Sequence, residues 1–420
     1  MTLETKGHEI TYRRLDLHAY LGLRFLAEAS SMALSVMVGW TVYDISRTPL
    51  SLGIVGIVEF IPALLLTLPA GELCDRLSPR PIIVTSLALE CVCSFAFLTL
   101  HWMHWRALWL FYGVVLASGL AKAFAEPAVQ AMLPCLVRAG QLPRAVAFSS
   151  TAWQMAVVLG PVVGGLAYAI DPALAYLGCA AAWFAAMLLA AMLRARQVAF
   201  KANASQGRMD RVWAGVRFVW SQPVVLGALS LDLFSVLLGG ATALLPVYAR
   251  DILKVGPEGL GMLRSAPAIG ACIVGLALSR FPPERRAGSK LFAAVIVFGI
   301  FTVVFAFARS PVVAWIALAV IGASDMVSVN IRTTLIQLVT PDAMRGRVSA
   351  VNALFIGASS QLGAFESGVV AALLGAIPTI ALGGCGTIVV ALAWMLMFPD
   401  MRKADRLDMD LNREGVTSGE

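Results

Sequence analysis

The fold class predicted by this sequence is an all-α polytopic membrane protein with twelve transmembrane helices in two pseudo-symmetric six-helix halves. Three observations predict it: an apolar composition, a succession of apolar runs of spanning length, and an internal repeat of about half the chain. Of the 420 residues, 59% are hydrophobic and 14% charged, with a mean hydropathy of +0.81. Soluble domains hold roughly 45–50% apolar and about 25% charged residues. The surplus apolar surface is more than a soluble interior can hide, so the bilayer is its natural solvent. A span takes about 20 residues, so this length accommodates twelve spans and short turns but no large soluble domain.

Apolar runs bounded by charge, Pro or Gly lie near 20–43, 50–73, 81–101, 107–131, 145–169, 173–193, 224–249, 258–279, 291–308, 312–333, 348–375 and 377–398. The first 17 residues are polar and lack the apolar core and cleavage site of a signal peptide, so the first span is expected to be retained. Segment 194–222 carries Arg194, Arg196, Lys201, Arg208, Arg211 and Arg217, with Val212, Val216, Val219 and Trp220 at helical spacing. That pattern predicts an amphipathic helix in the headgroup region. The domain plan is therefore a cytoplasmic N-terminus (1–17), a six-helix bundle (18–193), the linker (194–222), a second bundle (223–398) and a cytoplasmic tail (399–420).

The net charge of +7 and pI near 9.2 raise the question of nucleic acid, but a nucleic-acid binder gathers its basic residues on one face. Here they sort by side of the membrane. With the N-terminus inside, the inner segments hold 23 Lys and Arg against 5 in the outer loops. By the positive-inside rule both termini are expected in the cytoplasm, and the basic residues are expected to meet anionic lipid headgroups.

The halves resemble one another. At an offset of 203, the stretch 117–122 (ASGLAK) lies opposite 320–325 (VIGASD), Arg144 opposite Arg347, Gly160 opposite Gly363 and Gly165 opposite Gly368. Nearer the start of each half the offset is 207–208: Asp44-Ile45 meets Asp251-Ile252, and Leu52-Gly53 meets Leu260-Gly261. Parallel six-span repeats are the organisation of many secondary transporters.

Two motifs carry a mechanism. Gly71-Glu72-Leu73-Cys74-Asp75-Arg76, followed by Arg80, ends the second span. The Gly permits close helix approach, Asp75 can accept from helix N-terminal amides, and Arg76 can hold a partner carboxylate, so the motif can latch two bundles. An ordinary charged turn is the alternative. The motif resembles the signature between spans 2 and 3 of the major facilitator superfamily, from which Ser78 and Pro79 depart. In the fifth span, Gly160-Pro161 with Gly164-Gly165 forms a flat packing face with a bend, and resembles that superfamily's antiporter motif; a packing face of no functional direction is the alternative. Stretches 230–253, 265–271 and 330–368 resemble the branch that includes bacterial enterobactin exporters and macrolide efflux pumps. The resemblance implies the major facilitator fold and export of a small organic molecule, siderophore- or drug-like, across the bacterial inner membrane.

The ionisable residues read as lying within spans are Arg24, Glu28, Glu59, Glu90, Lys122, Glu126, Asp232, Arg264, Asp325, Arg332 and Glu366. Each costs roughly 2.5–3.5 kcal/mol at a helix centre, so function or pairing is the default explanation. Seven of them fall on spans 1, 4, 7 and 10, which in the superfamily's fold line the central cavity. Arg24/Glu28 and Lys122/Glu126 are i, i+4 pairs, each expected on one helix face; self-neutralisation and a substrate or proton role both fit them. A carboxylate on a low-dielectric cavity takes up a proton more readily than in water, and a nearby cation opposes this; Glu28 is favoured for that role. Asp325 aligns with Lys122 of the first half, suggesting a pair across the cavity. Arg332 is near the inner end and is expected to bind or snorkel; Arg264 and Glu366 are expected to pair or face water. Glu90 has the weakest functional case, and Glu59 an intermediate one.

No G-x-x-x-x-G-K-[ST] loop is present, so the energy is expected from an ion gradient. The seven Cys include no C-x-x-C and read as small membrane-helix residues; the His101/His104 pair is a weak metal signal, and no metal or cofactor is expected. The expectation is a proton-coupled secondary exporter acting by alternating access, a functional monomer whose partners are a small-molecule substrate, protons and lipids, with no nucleic acid. An importer or lipid flippase of the same fold is the alternative. A membrane-embedded enzyme needs a nucleophile or acid–base constellation that is not visible.

Overall fold

The computed structural model describes residues 14–193, 208–281, 287–399 and 401. It is built of helices: α1 (Arg14–Ser46), α2 (Pro49–Arg76), α3 (Pro79–Trp102), α4 (Leu108–Leu136), α5 (Leu142–Ile170) and α6 (Pro172–Met192) form the first half. After α7 (Arg208–Ser221), the second half comprises α8 (Pro223–Leu238), the single turn α9 (Leu245–Val247), α10 (Pro257–Arg280), α11 (Ala287–Phe307), α12 (Pro311–Val339), α13 (Asp342–Leu374) and α14 (Ala376–Met397). Six of these begin on Pro, whose fixed φ suits the first turn and whose missing N–H has no partner there to lose. Asp171 caps α6 by accepting from the Ala173 amide at 2.9 Å.

Among the described residues, eleven helical segments are long and apolar enough to cross a membrane. They coincide with eleven of the twelve predicted spans. The remaining one is α13, 33 residues long, which carries Ser360, Gln361, Glu366 and Ser367 along a length packed against α2 and α8. Its Ile356, Leu362, Leu373 and Leu374 are exposed, an apolar surface of the kind a lipid-facing helix presents. The seventh span is also not one continuous helix: it breaks at Gly239-Gly240 and continues as a 3₁₀ turn (Ala241–Leu244), α9 and a π-helical turn (Tyr248–Ile252). A Cβ on Gly240 would lie 2.8 Å from the Gly363 carbonyl oxygen, so the break brings span 7 close to α13.

The repeat legible in the sequence is a repeat of packing. In the first half α1 packs on α5, α2 on α4, α3 on α4 and α6; in the second α8 packs on α13, α10 on α12, α11 on α12 and α14. Repeat-related glycines make related approaches. Gly119 sets α4 against the Glu59 backbone of α2, where a Cβ would be 2.5 Å from the carbonyl oxygen, and Gly322 sets α12 against the Pro267 backbone of α10.

The halves meet at one end, the far end, where α1 finishes and α2 begins. There α5 packs on α10 and α13 on α2, through Gly165 against Pro257 and Gly261, and Gly368 against Gly53. The far end has a shared core: Val36, Tyr43 and Leu52 of the first half are buried with Leu245, Tyr248 and Leu260 of the second. The buried cluster of the second half at the near end, around Val225, Phe292 and Leu335, contains no residue of the first. Among the described residues the halves are therefore closed together at the far end and hold separate cores at the near end.

The α7 helix differs from its expected register. Val216 and Val219 pack on the second-half core, while Trp213 and Trp220 are exposed. Trp220 therefore lies off the buried face; the side chain of Val212 and residues 194–207 lie outside the described residues.

Candidate functional site

Charged side chains gather into three groups, two within the halves and one at the far end. The first begins above a near-end cleft of about 650 Å³ between α1, α4 and α5, lined by Leu17, Leu21, Leu136 and Phe148 among others. One turn beyond Leu21, Arg24 grips Glu126 with both terminal nitrogens at 3.1 Å, and Gln130 donates to the same carboxylate at 2.9 Å. One turn further along α4, Lys122 donates to Glu59 of α2 at 2.5 Å. The predicted same-helix pairs are thus exchanged for pairs between helices, because helix packing brings α1 and α2 against α4 and a bidentate Arg fork needs a facing carboxylate.

Glu28 is left between these pairs. Arg24, Glu126 and Lys122 all act on it electrostatically and the Trp153 indole N–H is its hydrogen-bonding neighbour, yet no ion pair holds it among the described residues. Glu90, the weakest candidate from sequence, is 4% exposed and accepts from the Ser118 hydroxyl at 2.9 and 3.1 Å, beside Lys122 and Glu59. Its α3 position concealed it: a span that reads as peripheral still turns one face to α4.

The second group lies in the other half. Arg332 does not snorkel; it is 2% exposed and ion-paired with Asp232. Asp325 faces Asp232 and Arg332 beside a water-sized gap lined by Ser235, Ser324 and Ser328. The expected pair between Asp325 and Lys122 is not formed, since each is engaged within its own half.

Between the halves is a cavity of about 230 Å³ lined from α1, α2, α3, α4, span 7, α10 and α13. Glu59 and Lys122 face it from one side and Arg264 from the other. Arg264 does not pair with Glu366: it donates to Ser35 at 2.6 Å and faces Glu59. Glu366 is half-buried beside Ser367.

The third group closes the far end. Tyr43 donates to Asp251, Asp44 pairs with Arg250 at 2.5 Å, and Arg250 lies over the Trp40 ring at 5.2 Å. All three contacts join α1 to the π-helical turn of span 7; sequence reasoning used Asp44 and Asp251 only as repeat markers.

The motifs divide. Gly160 and Gly164 seat α5 on Ala29 and Ala33 of α1, while the Pro161 carbonyl and Gly165 meet Gly261 of α10. This places the antiporter-like motif where the halves join. In the gating motif, Gly71 and the side chains of Asp75 and Arg76 lie outside the described residues. Arg80 donates to the Ala191 carbonyl at the end of α6, a cation on a helix C-terminus within the first half.

A family model described as transmembrane secretion effector matches residues 23–415. The chain belongs to this family of the major facilitator superfamily. This major facilitator protein is 24% identical over 377 residues to the enterobactin exporter EntS of Citrobacter koseri, covering 89% of this chain and 88% of that one. Among solved structures, the nucleoside transporter NupG (D323A mutant) superposes with a TM-score of 0.71 at 14% identity, covering 91% of this chain and 100% of that one. A bacterial homologue of the lysosomal transporter Spinster superposes at 0.72 with 12% identity, covering 94% and 97%. The fold is that of the superfamily, and the chain is a multi-span membrane transporter.

Proposed function

We propose that this transporter is a proton-coupled exporter of a small organic molecule, siderophore- or drug-like, working by alternating access in the bacterial inner membrane. The observation that carries the reading is that, among the described residues, the two halves share a buried core at the far end and hold separate cores at the near end, with a charged cavity between them. With the basic segments inside, the near end and both termini face the cytoplasm and this is the inward-facing state. Rocking about the cavity then exposes it to the other side. Glu28, beside two ion pairs yet committed to neither, is the group assigned to carry the proton; Arg24 and Lys122 set how readily it does so. Membrane lipids are the solvent of the spans, and one chain contains both halves, so the monomer is the working unit. Export is supported by the likeness to enterobactin exporters over most of the chain.

The test is gradient-driven transport by the full chain in proteoliposomes, with radiolabelled siderophores, macrolides and dyes. The expected result is movement of at least one class against the proton flow, abolished by Glu28→Gln with folding and insertion unchanged. Transport indifferent to an imposed pH gradient, or unaltered in Glu28→Gln, overturns the coupling assignment.

A further inference from the structure

The central cavity carries a charge imbalance that the coupling role leaves unused. Its charged lining consists of Glu59, Lys122 and Arg264. Glu59 is taken by Lys122 at 2.5 Å. Glu90 sits behind the lining with its carboxylate on the Ser118 hydroxyl. Among the described residues Arg264 makes a single hydrogen bond, to the Ser35 hydroxyl at 2.6 Å, and has no ion-pair partner. A guanidinium has five N–H donors in a rigid plane, so most of its donor capacity is unspent at a depth where an unpaired charge is costly. The neighbouring hydroxyl of Ser31 and the amide of Gln361 line the same space.

We propose that the cavity is a substrate site for an organic anion, in which Arg264 takes a carboxylate on its planar fork and the apolar body lies towards Phe97 and Val115. The match is geometric as well as electrostatic, because two parallel N–H donors fit two carboxylate oxygens. At about 230 Å³ the cavity is smaller than the roughly 300–1,000 Å³ of drug-sized sites, so this state admits a one-ring body. Lys122 is not the anchor, since Glu59 already holds it. The inference rests on the transporter reading only for the site's being a substrate site.

Purified full-length protein is heated with benzoate, benzamide or benzylammonium, and the folded fraction is followed by size exclusion. A solute that binds only the folded protein raises its apparent Tm. Benzoate should raise it and the other two should not. Arg264→Gln should weaken the benzoate effect at least about tenfold, the loss of a charge-assisted pair. Arg264→Lys keeps the charge but not the fork and should show an intermediate, measurable effect; it stands in if the Gln variant does not fold. No stabilisation by benzoate, equal stabilisation by the amide or the amine, or an effect unchanged in both variants overturns the proposal. Benzoate binding that persists where gradient-driven transport is absent removes the exporter reading and leaves the anion site; transport without benzoate binding does the reverse.

Discussion

At the scale of residues, burial decides which ion pairs are structural. Asp232 and Arg332 have side chains 10% and 3% exposed, so removing either leaves the other charged and desolvated. Asp232→Asn is expected to cost about 3–5 kcal/mol, and the double replacement Asp232→Leu with Arg332→Met should restore most of it, because a well-packed apolar pair substitutes for a buried ionic one. Thermal unfolding in detergent measures both; a double variant as unstable as the single would show that the pair has further partners. The pair of Lys122 and Glu59 is about one-third exposed, so Lys122→Ala should cost less, about 1–2 kcal/mol. Its larger effect should be on transport, read in the same proteoliposomes. The residue types of these sites were legible in the sequence, since a charge in an apolar run is conspicuous. Their partners were not: Arg24 chose Glu126 over Glu28 because α1 and α4 face each other, a fact of tertiary packing that i, i+4 spacing does not contain.

At the scale of elements, the far-end latch has the symmetry of the repeat. At an offset of 207, Asp44 corresponds to Asp251 and Tyr43 to Arg250. The contacts are reciprocal: Tyr43 reaches Asp251 while Arg250 reaches Asp44. Each half thus offers one aspartate acceptor and one donor to the other, and the π-helical turn Tyr248–Ile252 widens the helix locally to aim its pair. Tyr248 itself is spent elsewhere, its one hydroxyl proton shared among the Phe305, Ala306 and Ala308 carbonyls at the end of α11, the nearest at 2.6 Å. Asp44→Ala with Tyr43→Phe removes both acceptor and donor of the first half. Losing about 1–2 kcal/mol of closure changes the ratio of states roughly five- to thirtyfold. Spin labels placed across the far end should then gain a long-distance population; a distance distribution identical to the parent would show that the latch does not hold the closed state. The break in span 7 that positions this turn follows from Gly239-Gly240, inside the stretch 224–249 that hydropathy alone reads as one continuous span.

At the scale of the whole molecule, the span pattern and the two-fold repeat were legible because both are written in residue type along the chain: apolar side chains in spanning runs, prolines at helix starts, and glycines where helices touch. What the sequence could not express is which state the two halves adopt, since that depends on contacts between spans from opposite halves. Those contacts are nevertheless built from repeat-related residues. Gly261 of α10 meets Pro161 and Gly165 of α5, and its counterpart Gly53 of α2 meets Phe365 of α13, whose backbone would lie 3.1 Å from a Cβ at Gly53, and Gly368. A side chain at either position meets backbone, which cannot rotate away. Gly53→Val and Gly261→Val should therefore act alike, each opposing far-end closure and enriching the state open at that end. A cysteine at Ser31 in the central cavity, in a background freed of the seven native cysteines, reports this by its labelling from the far side. Labelling should rise several-fold in both variants while the folded yield stays comparable. A rise in one variant only would mean that the two interfaces are not equivalent hinges, and no rise in either would mean that closure does not depend on helix contact at these glycines.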